Sequence, residues 1–392
     1  MDYTVTRGSV SQHASEILRT HLRLRDFSPT CTVRVVLSVL FCACSRMCSV
    51  SAACFALLLA PSRETVRKAL LRDLTRRDEV LRRLNRALSC EVPGQLRRRE
   101  QQVAMDLVLI PYHGQPMLDQ SEVYRSQAKS GTSHFHAYAT AYVNYRGQRY
   151  TLALTYVERG EKLQEVIKRL LRRLGQLGIR VRMLLLDRGF WSVAVIRYLQ
   201  AARKPFLMPV VLRGREDSHP KGPSGTRVFA IRKTSGWDEY TLTAADKQKA
   251  RVSICVACRN YNGQWGRHGR QALVYAFWGI DPSSSRWVRE TYRKRFAIET
   301  SYRQTHQGRA RTSTRNPLVR LLLVGIALVL RNVWVWLHYF VLSTPRRGNP
   351  RLNLGRLPLR QMLLWLQHQA EDAFGRRDHV PSERPMPQRL GI

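Results

Sequence analysis

Residues 102–210 constrain the fold more than any other part of the chain, because the hydrophobic period changes there in a fixed order. VAMDLVLIPY alternates at a period of two, HFHAYATAYVNY follows, Arg146-Gly147 makes a turn, and RYTLALTYV returns as the third strand of a meander. EKLQEVIKRLLRRLGQLG then carries the 3.6-residue period of an amphipathic helix, closed by Gly178. VRMLLLDRGF is a buried strand that stops at an aspartate, WSVAVIRYLQAA is a helix, and PFLMPV is another short strand.

Three strands, helix, strand, helix, strand is the element order of an RNase H-like α/β sheet, in which the fourth strand lies beside the first. Asp106 interrupts the first strand on the side of Ala104, Val108 and Ile110, where an uncompensated charge is costly. Asp187 ends the fourth strand. A third carboxylate stands in TYRKRFAIETSYRQTHQGR, residues 291–309. Read as a helix, this stretch puts Tyr292, Glu299 and His306 seven residues apart on one face, with Arg295 and Arg303 four residues either side of Glu299. Residues 286–320 hold ten Lys or Arg against two acids, Glu290 and Glu299, so the helix should face a polyanion.

Two readings of these acids stay open on the residues alone. Glu299 can belong to an Arg-Glu-Arg ladder at i,i+4 spacing, Asp187 can cap the helix that begins near Trp191, and Asp106 can pair with a buried arginine or with His136. Alternatively the three carboxylates converge. Their mutual repulsion then requires cations, and two Mg²⁺ ions about 4 Å apart would activate a water and steady the departing 3′ oxygen of a phosphodiester.

The formal charge of +38, from 66 Lys and Arg against 28 acids, is too large and too widely spread for one basic tail and points to nucleic acid. A membrane partner is not expected. The apolar run 321–330 is followed by Arg331 and Asn332, and Arg320, Arg331 and His338 would form a narrow polar stripe on a core helix. Two further apolar runs are separated by Arg46, and no basic-then-apolar leader opens the chain, which points to the cytoplasm. The eight cysteines read as thiols. Cys42, Cys44, Cys48 and Cys54 read as small buried helix residues, and the Cys255/Cys258 pair has no second pair at zinc spacing.

Residues 1–100 read as a helical DNA-binding domain. PSRETVRKALLRDL starts at Pro61-Ser62, turns Val66, Leu70, Leu71 and Leu74 inward and Arg63, Arg67, Lys68 and Arg72 outward, and resembles the basic second helix of a helix-turn-helix. A helix over 76–88 follows. Residues 101–210 read as the first part of the catalytic domain and 211–277 as a β-rich insertion built from TRVFAIRK, DEYTLTA, ARVSICVACRNY and ALVYAFWGI. Residues 278–343 read as its second part with the Glu299 helix, and 344–392 as a linker, the amphipathic helix LRQMLLWLQHQAEDAF and a Pro/Arg-rich tail.

Tyr292, Arg295 and Glu299 fit YxxRxxxE, LLLDRGF fits a second-aspartate strand, and DLVLIPYHG with AKSGTSHFHAYA fits a first-aspartate region. Together they resemble the DDE transposases of prokaryotic insertion sequences, in the group with a β-rich insertion before the glutamate. The resemblance covers about residues 100–340. It implies Asp106, Asp187 and Glu299 as catalytic metal ligands for two Mg²⁺ ions, with Mn²⁺ as a substitute. It also implies a homodimer that brings two terminal inverted repeats of double-stranded DNA together, cleaves them and joins them to target DNA, at the nucleoid of a prokaryotic cell. Tyr292, Arg295, Arg303, His306, Arg309, Arg63, Arg67 and Lys68 are the expected contacts to DNA or the side chains that order the helix. The family pattern has Lys or Arg seven residues after the glutamate, where this chain has His306, with Arg303 and Arg309 nearby. Trp237 and Trp265, by their place in the insertion, are candidate platforms for a flipped base. The rival readings are a domesticated, non-cleaving DNA-binding protein and a related RNase H-like structure-specific nuclease.

Overall fold

The second strand of the expected meander pairs with the first, the third pairs with the second, and a parallel strand joins the first strand's other edge. In the computed structural model, which describes residues 4–145, 147–263, 268–296, 307–347 and 350–379, this sheet belongs to the unit formed by residues 88–303. A second unit combines residues 1–87 with 304–392.

In the sheet unit, β1 (Gln101–Pro111) is flanked by β3 (Thr132–Tyr145) on one side and by β5 (Val181–Leu186) on the other. β2 (Tyr124–Lys129) and β4 (Gln148–Val157) both pair with β3, and β6 (Phe206–Pro209) runs parallel to β5. The order β4-β3-β1-β5-β6 is the RNase H-like order. The insertion continues the same sheet: β9 (His268–Trp278) pairs with β6, β8 (Lys249–Asn262) with β9, and β7 (Gly236–Thr243) with β8.

Two elements differ from expectation. TRVFAIRK is a 3-10 turn, Gly225–Phe229, and not a strand: Gly225 has φ 59°, and the Thr226 hydroxyl donates to the Val211 carbonyl and accepts from the Arg213 amide, folding the segment back. β2 has no strand signature in the sequence, because YRSQAK offers only Tyr124 and Ala128 as apolar positions and no period-two alternation. Ser130 and Gly131, both at positive φ, make the turn that returns it to β3.

The N-terminal helices are α1 (Arg7–Leu22), α2 (Val33–Arg46), α3 (Val50–Ala56), α4 (Arg63–Asp73) and α5 (Arg77–Ser89), followed by the single turn α6 (Gln95–Arg98). Ser62 caps α4 as its position predicts, its side chain accepting from the Thr65 amide. Val66, Leu70 and Leu74 are buried, and Arg63, Arg67 and Lys68 are exposed. Arg72 does not point outward as expected. It donates to the carbonyls of Arg25 and Asp26 and pairs with the buried Asp73, fastening the preceding segment to α4.

In the sheet unit, α7 (Leu163–Gln176) connects β4 to β5, α8 (Val193–Ala201) connects β5 to β6, and α9 (Ser285–Phe296) packs against β6 and β8. The expected second part of the catalytic domain, 278–343, is divided between the two units. α9 stays with the sheet, while α10 (Pro317–Trp336) groups with α1 and with α11 (Leu359–Phe374), because a helix apolar but for one narrow polar stripe must be enclosed by other helices. The helical segment Pro317–Val341 is long and apolar enough to cross a membrane, yet 89% of its most apolar window is buried inside the protein. The expected polar stripe is buried too. The Arg320 Nε donates to the Thr314 carbonyl at 2.7 Å, and His338 Nε2 lies 2.8 Å from the Leu357 carbonyl. Gly325 faces Leu84 so closely that a Cβ would fall inside the leucine side chain. Gly325→Ala should therefore destabilise the helical unit by about 1–3 kcal/mol through overpacking, read as an earlier melting transition by circular dichroism.

Candidate active site

Asp106 and Asp187 meet because of strand register. Met105 of β1 is the parallel partner of Leu186 in β5, so the next residue along each strand is one of the two aspartates. Across the other edge Asp106 faces Thr140 of β3. Ala104 and Asp106 share a face of the sheet, the face on which α9 lays Val288 and Tyr292 against Ala104, Leu185, Leu207 and Tyr275.

From that helix Arg295 reaches both acids. Its Nη2 donates to Asp187 Oδ1 at 2.8 Å, and its Nη1 lies 3.7 Å from Asp106 Oδ2. The guanidinium side chain is 8% exposed, the Asp106 side chain 13% and the Asp187 side chain 36%, so the pair opens to solvent on the Asp187 side. Burial works against the charge on Arg295, and Tyr292, Asp106 and Asp187 around it more than restore it, leaving its pKa above the ordinary arginine value. Asp187 occupies the cap position of the turn Arg188–Phe190 but makes no capping hydrogen bond; its carboxylate is turned to Arg295. The buried arginine that Asp106 was open to pairing with is Arg295. His136 lies opposite Ile110, farther along the ladder.

Tyr292 anchors α9. Its hydroxyl donates to the Leu186 carbonyl at 3.1 Å, at the end of the strand that presents Asp187, and its ring is 1% exposed. Burial pushes the phenol well above its ordinary pKa, which keeps the donor proton in place. Tyr292 and Arg295 therefore face the sheet, and their positions suit ordering the site rather than touching a DNA surface.

A polar layer lies beside Asp106 that no local sequence pattern marks. Thr140 accepts a hydrogen bond from Arg149 Nη2 at 2.8 Å, and the Arg149 guanidinium carbon sits 3.9 Å from the centroid of the Tyr142 ring. Arg149 is 2% exposed, and burial pushes the Tyr142 phenol up to about 12 while Arg149 opposes the shift. The only signal was an arginine at a strand start, which reads as solvent-facing until β3 and β4 are paired.

Glu299, Arg303 and His306 lie outside the described residues, as does Trp265. Arg309 is half-buried and belongs to the helical unit, as do Arg63, Arg67 and Lys68 on α4. Arg67 is held by Glu64 in a two-point ion pair at 2.7 and 2.8 Å. Among the described residues no three His, Cys, Asp or Glu side chains come together as a metal-holding group; Asp106 and Asp187 are a pair. Cys255 and Cys258 sit three apart on β8 and so on opposite faces. The Cys255 thiol is pushed up to about 12 by burial and Cys258 donates to the Arg232 carbonyl, so neither resembles a ligand. Trp237 is 47% exposed on β7, packed edge-on against Phe277.

A search of curated proteins returns no match. Among solved structures, the piggyBac transposase in its cryo-EM synaptic complex with hairpin DNA is similar in fold, with a TM-score of 0.51 and 11% identity over 97% of this chain and 80% of that one. The sequence model of the transposase DDE domain matches residues 97–332, more than half of the chain, and includes both aspartates, the β-rich insertion and α9. A sheet that sets two aspartates side by side at β1 and β5, inside a match of that extent, is that of an enzyme of DNA strand cleavage and transfer: the chain belongs to the DDE transposase family.

Proposed function

We propose that this transposase works by cut-and-paste, cleaving its own terminal inverted repeats and joining them to target DNA with two divalent cations, Mg²⁺ or in its place Mn²⁺, held by Asp106, Asp187 and Glu299. The observation that carries this reading is the convergence of Asp106 and Asp187, from neighbouring strands, on a single cationic group. The donor set fits the ions: carboxylate oxygens are the hard ligands Mg²⁺ takes, and these two already lie where a positive charge is accommodated. When bound, such ions activate the attacking water and neutralise the departing 3′ oxygen of the phosphodiester.

The chain's own residues supply the rest. Arg295 holds the two carboxylates toward each other, and Tyr292 fixes α9 to the end of β5, so the two ligand strands and the helix leading to Glu299 keep one register. The exposed Arg63, Arg67 and Lys68 of α4 suit the phosphate backbone of the terminal repeats, with Arg303, His306 and Arg309 as further contacts. A net charge of +38 supports strongly salt-dependent DNA affinity. Two copies would bring two ends together as a homodimer, at the nucleoid in the cytoplasm.

Titrating Mg²⁺ into the protein and a plasmid carrying its own flanking inverted repeats should give nicked and then linear DNA. A chelator should stop cleavage and leave DNA retention on a gel in place. Retention without cleavage at any metal concentration would favour the non-cleaving binder, and equal cutting of a branched junction lacking the repeats would favour the structure-specific nuclease.

A further inference from the structure

We propose that the cleft at the far end of β1 is a nucleotide site, which takes one unpaired nucleotide of a DNA strand by its phosphate while the loop beside it pries at the base stack. The inference rests on the transposase reading and adds to it a second point of grip on the substrate strand. The cleft has a volume of about 410 Å³, and its lining includes Tyr112, His113, Gln115, Arg125, Thr132 and His134. That volume suits a small ligand of nucleotide size. None of the lining residues is acidic, whereas Arg125, His113 and His134 all offer N–H donors, so the chemistry selects an anion such as a phosphate.

The cleft is firmly built. The Thr132 hydroxyl donates to the Tyr112 carbonyl at 2.9 Å, the Tyr112 amide donates to the His134 carbonyl at 2.9 Å, and the Tyr112 hydroxyl donates to the Gln115 carbonyl at 2.5 Å. Gly114 packs so closely on the Tyr112 ring that a Cβ would stand 2.7 Å from its oxygen. The same loop exposes two apolar side chains at its tip, Met117 at 50% and Leu118 at 79%. Their amides donate to the two oxygens of Glu122, at 2.7 and 3.2 Å, and Glu122 is itself 8% exposed. The buried carboxylate fixes the backbone of the loop tip at the two residues whose apolar side chains are exposed. Apolar side chains of this kind serve DNA-binding proteins as wedges between base steps.

Placement agrees with chemistry. Asp106 and Pro111 are five residues apart on β1, about 17 Å of strand. That is about five nucleotides of helical rise, so a strand that leaves the carboxylate pair along β1 arrives at the cleft.

The test uses the full chain in chelator, so that nothing is cut. Binding is compared for a short blunt duplex and for the same duplex with an unpaired tail carrying 2-aminopurine at its junction. Wild type should bind the tailed DNA about tenfold more tightly, the order expected for one added charge-assisted phosphate contact, with a rise in 2-aminopurine emission as the base unstacks. Arg125→Ala should erase that preference and lower the salt slope on tailed DNA by about one, with blunt-duplex affinity unchanged. Leu118→Ser should keep the preference and lose the emission rise. Wild type without a preference for the tail, or variants that retain both preference and emission, would overturn the proposal. If blunt-duplex binding and Mg²⁺-dependent cleavage persist in that event, the cleft alone has been misread; if they are absent, the cut-and-paste reading falls with it.

Discussion

Asp187→Asn should abolish cleavage of terminal-repeat DNA and leave DNA binding intact. The substitution keeps the shape of the side chain and a carbonyl oxygen where Oδ1 now accepts from Arg295, so α9 retains its seat. It removes one negative charge from a pair whose second member, Asp106, is only 13% exposed and cannot reposition far. Transition-state charge stabilisation at a metal is worth several kcal/mol, and each 1.36 kcal/mol is tenfold, so the expected loss is at least about 10³-fold in single-turnover cleavage. Because the Asp187 side chain is about a third exposed, the melting temperature should move little. Affinity should hold because the exposed cations of α4, proposed to meet the phosphates, lie in the other unit. Wild-type cutting by the variant would remove the shared metal site from the account.

The sheet was legible because its strands and helices each carry a local period, and the two aspartates stood out because each breaks or ends an apolar strand. Their convergence follows from β1 and β5 being parallel neighbours, which element order already implies. What the sequence could not carry was partner choice. Arg295 reads as one cation in a basic stripe, yet it is the buried residue that both acids share, since a one-dimensional charge pattern does not tell a solvated arginine from an enclosed one. Nothing in RYTLALTYV marks Arg149 as enclosed either. The insertion strands were recognised by alternation, but that β9 would pair with β6 and extend the sheet depends on an edge visible only once β6 is in place. α10 shows the converse: its apolar surface with one narrow polar stripe was plain, and its neighbours, α1 and α11, were not.

Arg295→Met should destabilise the sheet unit, and added divalent cation should recover much of the loss. With the guanidinium gone, Asp106 and Asp187 sit on adjacent strands without the cation they share. Removing one partner of a buried ion pair costs about 3–5 kcal/mol. The lower end applies here, about 3 kcal/mol, because water screens the third of Asp187 that is exposed. For a unit of this size that corresponds to a fall of about 6–12 °C in melting temperature. If the proposed site holds metal, Mn²⁺ would bind these carboxylates and supply the missing charge, so the thermal shift on adding Mn²⁺ should be larger in Arg295→Met than in wild type, where the metal would compete with the guanidinium. Arg295→Lys keeps a charge but loses the planar fork that reaches two carboxylates at once, and should fall between the two. An equal loss with and without Mn²⁺ would mean that Arg295 acts only by packing α9 on the sheet. A metal-dependent loss would mean that one arginine both steadies the carboxylate pair before the ions arrive and sets how readily they enter.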